Sequence, residues 1–531
     1  MRRVLLPAVL AAAVAAPAIA RAQAFATNDS TLRRIWAVGM DSSQTYDLAQ
    51  ALLDSVGPRL TGTPGQKAAN QWLLSKYRAW GIDAREEAYG TWRGWRRGIT
   101  HVDLIQPRVR SLEAMMLAWS PGTPRGAPVE AGVVVLPDVR TPAEFDAWLP
   151  QVRGKFVMVS MAQASCRPDD NWREFVADTA QLRRMRERRS EMQEKWSQRL
   201  TNATGDSTAA LATRSLPFRL AAAGARGLFT HNWSQGWGVD KIFNARFGQS
   251  IPSIDLSCED YGLVFRLAEN RQNPVVRVAA DAQDLGEVPV ANVIAQIRGT
   301  EKPNEYVMLS AHFDSWDGAS GATDNGTGTL VMLEAMRILR RVYPNPKRTI
   351  VVGHWSGEEQ GLIGSRSFAA DHPDIVNGLQ ALFNQDNGTG RVVNVSASGL
   401  VDATGQLAGW LARIPRGITR HINFGFVGSP AGGGSDNASF ACYGAPAFGL
   451  GSLSWDYGTY TWHTNRDTFD KIVFEDLKNN VVLTAMLAYL ASEDPQTVSR
   501  TRATIVNPLT GRSSSWPQCQ VPPRKSADWQ R

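Results

Sequence analysis

The chain predicts an α/β fold, a mixed and largely parallel sheet flanked by helices, on three observations. From residue 290 onward, strand-length apolar runs alternate with amphipathic helical stretches. Clusters of Gly, Asn, Asp and Ser separate them. Between residues 118 and 288 a second, tighter rhythm of short strands and helices suggests a compact α/β domain inserted in the first. With 531 residues there is material for two or more domains and a sizeable core.

The elements follow in order. Residues 1–24, "MRRVLLPAVLAAAVAAPAIARAQA", pair a basic start with an apolar run and close on Ala22-Gln23-Ala24, the pattern of a cleaved secretory signal. No later stretch is long and apolar enough to span a bilayer, so no integral membrane segment is expected after signal removal. Residues 25–117 form the first part of the main domain. Within it, "TYDLAQALLDSVGPRLTGTPGQKAANQWLLSKYRAWG" has helical periodicity on both sides of a turn, and "YGTWRGWRRG" reads as a strand and turn. The insertion, 118–288, carries strands at "GVVVLPDV", "GKFVMVSMA", "ARGLFTHNW" and "SIPSIDLS", with helices at "LPFRLAAAG" and "EDYGLVFRLAEN". Its charged excursion, 169–200, places Phe175, Leu182, Met185, Met192 and Trp196 near one helical face, as in an amphipathic helix on its own domain, a lid or a dimer contact. Residues 289–495 resume the main domain: strands "VANVIAQIRG", "YVMLSAHFD", "RTIVVGHW", "LQALFNQDN" and "APAFGLGS", interleaved with helices "GTLVMLEAMRILRRV" and "SRSFAADH" and closed by "EDLKNNVVLTAMLAYLA". Residues 496–531 are a polar, Pro-containing tail that either wraps the body or stays mobile.

Charge and cysteines narrow the partners. The formal charge is +7, and Arg2, Arg3 and Arg21 fall in the signal with no acid, leaving +4. That is weak for a nucleic-acid binder, and no basic patch interleaved with aromatics exists. Cys166, Cys258, Cys442 and Cys519 are widely spaced without a C-x-x-C pair, which argues against a cysteine zinc site or redox motif. Export permits disulfides, but the pairing is unreadable.

In open α/β sheets, function gathers where strands end. "AHFDSW" carries His312 and Asp314, "GATDNGTG" Asp324, "SGEEQG" Glu358 and Glu359, "NQDNGTG" Asp386, and "TWHTNRDT" His463. Two histidines and several carboxylates at one sheet edge suit a divalent metal, above all zinc. So many acids suggest two ions sharing one carboxylate, and Asp324, between turn residues, is placed to bridge. Adjacent glutamates repel each other in a dry site. A ligand at Glu359 and a base at Glu358 explain why they stand together. His312-x-Asp314 has the spacing for a carboxylate that orients a metal-bound histidine.

"HFDSW", "GATDNGTG", "SGEEQGLIGS" and "WHTNRDTFDKI" resemble the motifs of the co-catalytic zinc exopeptidases, a family that includes bacterial leucyl aminopeptidases, carboxypeptidase Q and glutamate carboxypeptidase II. The likeness covers about residues 44–490. It implies two zinc ions held by His312, Asp324, Asp386, Glu359 and His463, with Asp324 bridging, Glu358 as general base and Asp314 steering His312. It also likens the insertion to a protease-associated domain. Where the family often has a tyrosine before the last histidine, this chain has Trp462, with Tyr457 and Tyr460 nearby; where its pocket loop often reads Ser-Asp-His, this chain has Ser435-Asp436-Asn437. Ser435, Asp436, Tyr460 and Trp462 are therefore the candidate substrate contacts.

The signal pattern implies a periplasmic or extracellular protein, and the resemblance an aminopeptidase or dipeptidase acting on short peptides. Alternatives are a carboxypeptidase of the same family, or a glutaminyl cyclase, which is similar in fold, uses one zinc and can carry tryptophan at the place of Trp462. A homodimer is left open.

Overall fold

The computed structural model describes residues 27–506, 511 and 513–529; the expected signal, 1–24, lies outside them. Strands β1 (Asp83–Gln106), β2 (Arg110–Leu112), β3 (Ala114–Met116), β4 (Val129–Val135), β5 (Phe156–Met158) and β6 (Gly227–Thr230) are followed by the hairpin β7 (Trp233–Gly236) and β8 (Val239–Asp240). Then come β9 (Ser253–Leu256), β10 (Val275–Ile297), β11 (Lys302–His312), β12 (Arg348–Trp355) and β13 (Leu379–Asn384). Strands β14 (Val392–Ser396), β15 (Asn423–Gly425), β16 (Ala447–Gly449) and β17 (Gly451–Ser452) follow.

One sheet runs in the order β16-β13-β11-β12-β10-β4-β5-β6-β9-β3. It contains two parallel blocks. In the first, β16, β13, β11 and β12 are parallel; in the second, β4, β5, β6 and β9 are. Between them lies β10, antiparallel to β12 on one side and to β4 on the other. The sheet is thus mixed and largely parallel, as the element rhythm predicts.

The physical reason is visible in β12. All eight residues of "RTIVVGHW" are buried, the signature of a strand covered on both faces. On one face lie the helices Thr327–Val342, Phe474–Glu493 and Ser30–Asp41, with Leu330, Leu333, Val482 and Leu487 among the buried contacts. Trp355, Phe368 and Phe440 fill the other. The helix Pro64–Ala79 starts as its sequence dictates: the Thr63 side chain accepts from the Gln66 N–H, and Pro64 stands in the first turn, where its missing N–H costs nothing.

Two expectations change in detail, and one left open is decided. "YGTWRGWRRG" is not a strand and turn but the middle of β1, which pairs with β10 over nearly its whole length. Bulges near Ala88, Gly94 and Arg97 absorb its glycines and basic residues without ending the ladder. The charged excursion is two helices, Asp169–Phe175 and Thr179–Thr204, divided at Asp178, whose side chain caps the second. Leu182 and Trp196 are buried, but Phe175 is 68% exposed, because the break rotates it off the common face. Finally, the tail wraps the body: Arg524 pairs with Asp371, and the Trp529 ring meets Trp92, Trp119 and Phe247. Disulfides join Cys166 to Cys258 and Cys442 to Cys519.

Candidate metal centre and active site

The site forms at the C-terminal edge of the first parallel block. His312 ends β11, the Glu358–Glu359 turn follows β12, and Asp386 follows β13. Asp324 comes from the loop before helix Thr327–Val342, and His463 from the loop before helix Phe474–Glu493. His312 Nε2 lies 3.1 Å from Asp386 Oδ1 and 3.3 Å from Asp324 Oδ1. His463 Nε2 lies 3.1 Å from Asp324 Oδ2 and 2.9 Å from Glu359 Oε2. The two oxygens of Asp324 therefore face different histidines.

Asp314 is fully buried and organises this edge. Its carboxylate accepts the backbone N–H groups of Glu358 (3.2 Å) and Glu359 (3.3 Å) and the Thr61 hydroxyl (3.2 Å). The expected grip on His312 runs mainly through the Asp314 backbone carbonyl, 3.0 Å from Nδ1, while the carboxylate stands at 3.7 Å. With Nδ1 donating to that carbonyl, Nε2 is left facing Asp324 and Asp386.

Two residues that motif reading missed fix the loops. Asp467 accepts the backbone N–H groups of Thr323 (2.8 Å) and Asp324 (2.9 Å), orienting the shared carboxylate. Its signal was at hand, four residues beyond His463. Arg59, with no exposed surface, donates to the carbonyls of Phe313, Ser320 and Gly321, at 2.7, 2.7 and 2.8 Å, and so pins the loop after β11. No local signal marks it, since its partners lie some 250 positions away.

Burial dominates the electrostatics. It pushes Glu358 well above the carboxylate range, and pushes Glu359 to about 7, where Asp324 adds to the effect. It likewise raises Asp436 and Asp467 to about 7. Burial opposes ionisation of Asp324, but bonds to His312 and His463 outweigh it and lower its pKa. Burial alone would lower His463, yet Glu359 and Asp324 raise it to about 9. The acids Asp314, Asp324, Glu358, Glu359, Asp386, Asp436 and Asp467 thus outnumber the cationic groups among them. Glu359 Oε1 and His463 Nδ1 are buried without a hydrogen-bond partner in the structure. Missing positive charge and orphaned donor-set atoms both fit divalent cations, and His312, Asp324 and Glu359 offer ligand atoms within 4.8 Å of one another.

A cleft of about 400 Å³ opens onto these residues, lined by Asp324, Glu358, Glu359, Asp386, Tyr457, Trp462 and His463, with Arg366 on its wall. Trp462 stacks on the His463 ring with centroids 3.9 Å apart. The other expected substrate contacts are placed differently. Tyr460 packs beside Gly236 of β7 and does not line the cleft; Tyr457, three residues earlier, does. The turn Tyr457–Tyr460 directs the two rings to different sides. Asp436 has no exposed surface, and Ser435 accepts from the Asn384 amide at 2.8 Å.

The fold and this centre resemble those of a class, the metallo-exopeptidases. Residues 292–488, which hold the His–Asp–Glu set, match the profile of peptidase family M28, and the likeness to the co-catalytic zinc exopeptidases holds. Mouse carboxypeptidase Q is 24% identical over 354 residues, 66% of this chain and 66% of that one, so this chain spans just under two thirds of it. A peptidase M28 precursor from Shewanella amazonensis superposes with a TM-score of 0.63 at 23% identity, covering 88% of this chain and 97% of the other. BSAP, a zinc aminopeptidase from Bacillus subtilis, gives 0.55 at 17% identity, covering 87% and 97%.

Proposed function

We propose that this protein is an exported, zinc-dependent exopeptidase that hydrolyses terminal peptide bonds of short peptides, as an aminopeptidase or dipeptidase. The observation that carries the reading is Asp324, with one carboxylate oxygen against each histidine, at 3.3 and 3.1 Å. His312, Asp386 and Asp324 would hold one zinc, and Glu359, His463 and Asp324 the other. Bound there, zinc would polarise the scissile carbonyl and make a water more acidic.

The chain's own groups do the rest. Glu358, on the cleft wall, takes a proton from the attacking water and returns it to the leaving amine. His312 opposes the burial that raises the Glu358 pKa, and a cation bound in the cleft would oppose it further. Asp314, by holding both N–H groups of the turn, keeps Glu358 and Glu359 turned to separate tasks. Tyr457 lines the cleft, close to where the family tyrosine is missing; burial raises its pKa, so its hydroxyl keeps its proton and would serve as a donor for the oxygen that gains negative charge.

The protease-associated domain is assigned to residues 118–288, and it braces the loop that carries Trp462 and His463 from outside the cleft lining. Lys241 donates to the carbonyls of Gly458 (3.1 Å) and Trp462 (3.0 Å), and the Ile242 N–H donates to the His463 carbonyl (2.9 Å). The two disulfides support an oxidising compartment, periplasmic or extracellular.

Arg366 favours a second reading. Its place on the cleft wall suits a substrate's free carboxylate, which would make the enzyme a carboxypeptidase. Arg466, the sequence-adjacent alternative, is turned away onto Glu113 and the Gly238 carbonyl. Metal content of the purified protein, with cleavage of dipeptides blocked at either end, tests both readings. Chelator-sensitive cleavage that needs a free amine supports the first, and a need for the free carboxylate supports the second. Cyclisation of N-terminal glutamine with a single zinc would overturn both.

A further inference from the structure

Away from the cleft, three residues of the second parallel block meet. His231 follows β6, Asp255 lies on the adjacent β9, and Asp240 ends β8. One ligand atom from each lies within 4.8 Å of the others. The His231 and Asp240 side chains are 1% and 3% exposed, and Asp255 is 2% exposed. Two polar atoms here, His231 Nε2 and Asp255 Oδ1, have no hydrogen-bond partner in the structure, and Asp240 Oδ1 has only the His231 ring beside it. The remaining contacts orient the group. His231 Nδ1 lies 3.3 Å from the Leu256 carbonyl, the Thr230 hydroxyl donates to Asp255 Oδ2 at 2.9 Å, and the Tyr261 ring covers the imidazole at 5.2 Å. The neighbouring Lys241 gives its ammonium to the Gly458 and Trp462 carbonyls instead. Two carboxylates in a dry site face a single imidazole, His231, whose Nδ1 lies 3.4 Å from Asp240 Oδ1, and one imidazole cannot compensate both.

We propose that His231, Asp240 and Asp255 bind a divalent cation of the zinc class, separate from the cleft. One imidazole and two carboxylates suit zinc better than calcium or magnesium, which prefer oxygen alone. The site's role is structural. Asp240 exchanges two backbone–side-chain and backbone–backbone bonds with Asn465, each 3.0 Å, and Ile242 donates to the His463 carbonyl. A cation on Asp240 therefore fixes the strand against which the His463 loop rests.

The test is zinc content of the full chain after dialysis, in the wild type, in Asp255→Asn, and in the cleft variant Asp324→Asn/His463→Gln. The cleft variant is expected to keep one zinc per chain and to lose it when Asp255→Asn is added. Asp255→Asn alone should lose one zinc and unfold at lower temperature, and in the cleft variant the added Asp255→Asn should abolish the rise in midpoint that excess zinc gives. A folded Asp255→Asn with unchanged zinc content overturns the proposal and leaves two carboxyls sharing a proton. Should Asp255→Asn not fold, X-ray absorption at zinc in the cleft variant decides: one imidazole with oxygen ligands supports the site, and absence of zinc overturns it. The inference does not need the cleft assignment, because failure of that reading would appear as zinc unaffected by Asp324→Asn/His463→Gln.

Discussion

At the scale of single residues, the cleft separates groups that react from groups that hold them. Glu358→Gln keeps size and removes the basic oxygen. The expected outcome is unchanged metal content with a fall in kcat of about 10²–10⁴-fold, read by peptide hydrolysis beside metal analysis. Tyr457→Phe should lower kcat by about 10²–10³-fold with little change in KM. Asp467→Ala acts indirectly: it leaves the Thr323 and Asp324 N–H groups unpaired and frees the shared carboxylate. Metal affinity should drop about 10–100-fold, measured by competition with a chelator. His354 lies behind the site, with its Nε2 2.6 Å from the Tyr77 hydroxyl. Burial lowers its pKa from 6.5 to about 3. The unfolded chain thus binds the extra proton between those values, so this contribution to stability is complete above pH 6.5 and is lost as pH falls towards 3. His354→Gln should flatten the pH dependence of unfolding in that window by up to about 1.4 kcal/mol per pH unit, read by denaturant titration at several pH values.

At the scale of elements, the catalytic turn is held by close backbone approach as well as by Asp314. The Gly364 N–H donates to the Ser356 carbonyl, 2.9 Å away, just before the Glu358–Glu359 pair. A Cβ on Gly364 would come within 2.2 Å of both that carbonyl and Asn292 Oδ1. Backbone cannot yield as a flexible side chain can. Gly364→Ala is therefore expected to cost about 1–3 kcal/mol and to displace Glu358, so activity should fall further than the loss of folded protein explains. Strand and helix identities here were legible from pattern alone: "RTIVVGHW" reads as a strand and "GTLVMLEAMRILRRV" as a helix, while the burial of both strand faces came from packing. The length of β1 was not legible, because its pairing partner β10 lies nearly two hundred positions away.

For the whole molecule, the central question is what joins the two parallel blocks and the tail. The ribbon of β1 and β10 carries both blocks in one sheet. The Cys442–Cys519 bridge, spanning 77 positions, ties the tail to the body, and Trp529 then fills an aromatic pocket with Trp92 and Trp119. Cys442→Ser/Cys519→Ser should lower stability by about 2–4 kcal/mol, and limited proteolysis should then release the tail first. Among the described residues, no helix is long and apolar enough to cross a membrane.

The sequence by itself determined the fold class, the strand ends that matter and the residues gathered there, His312, Asp324, Glu358, Glu359, Asp386 and His463, because residue type and local period carry that information. Tertiary structure alone decided which tyrosine enters the cleft, that Arg59 and Asp467 hold its loops, which cysteines pair, and that His231, Asp240 and Asp255 meet. Each depends on segments distant in the chain being brought together by packing, and a local pattern contains no record of its partner.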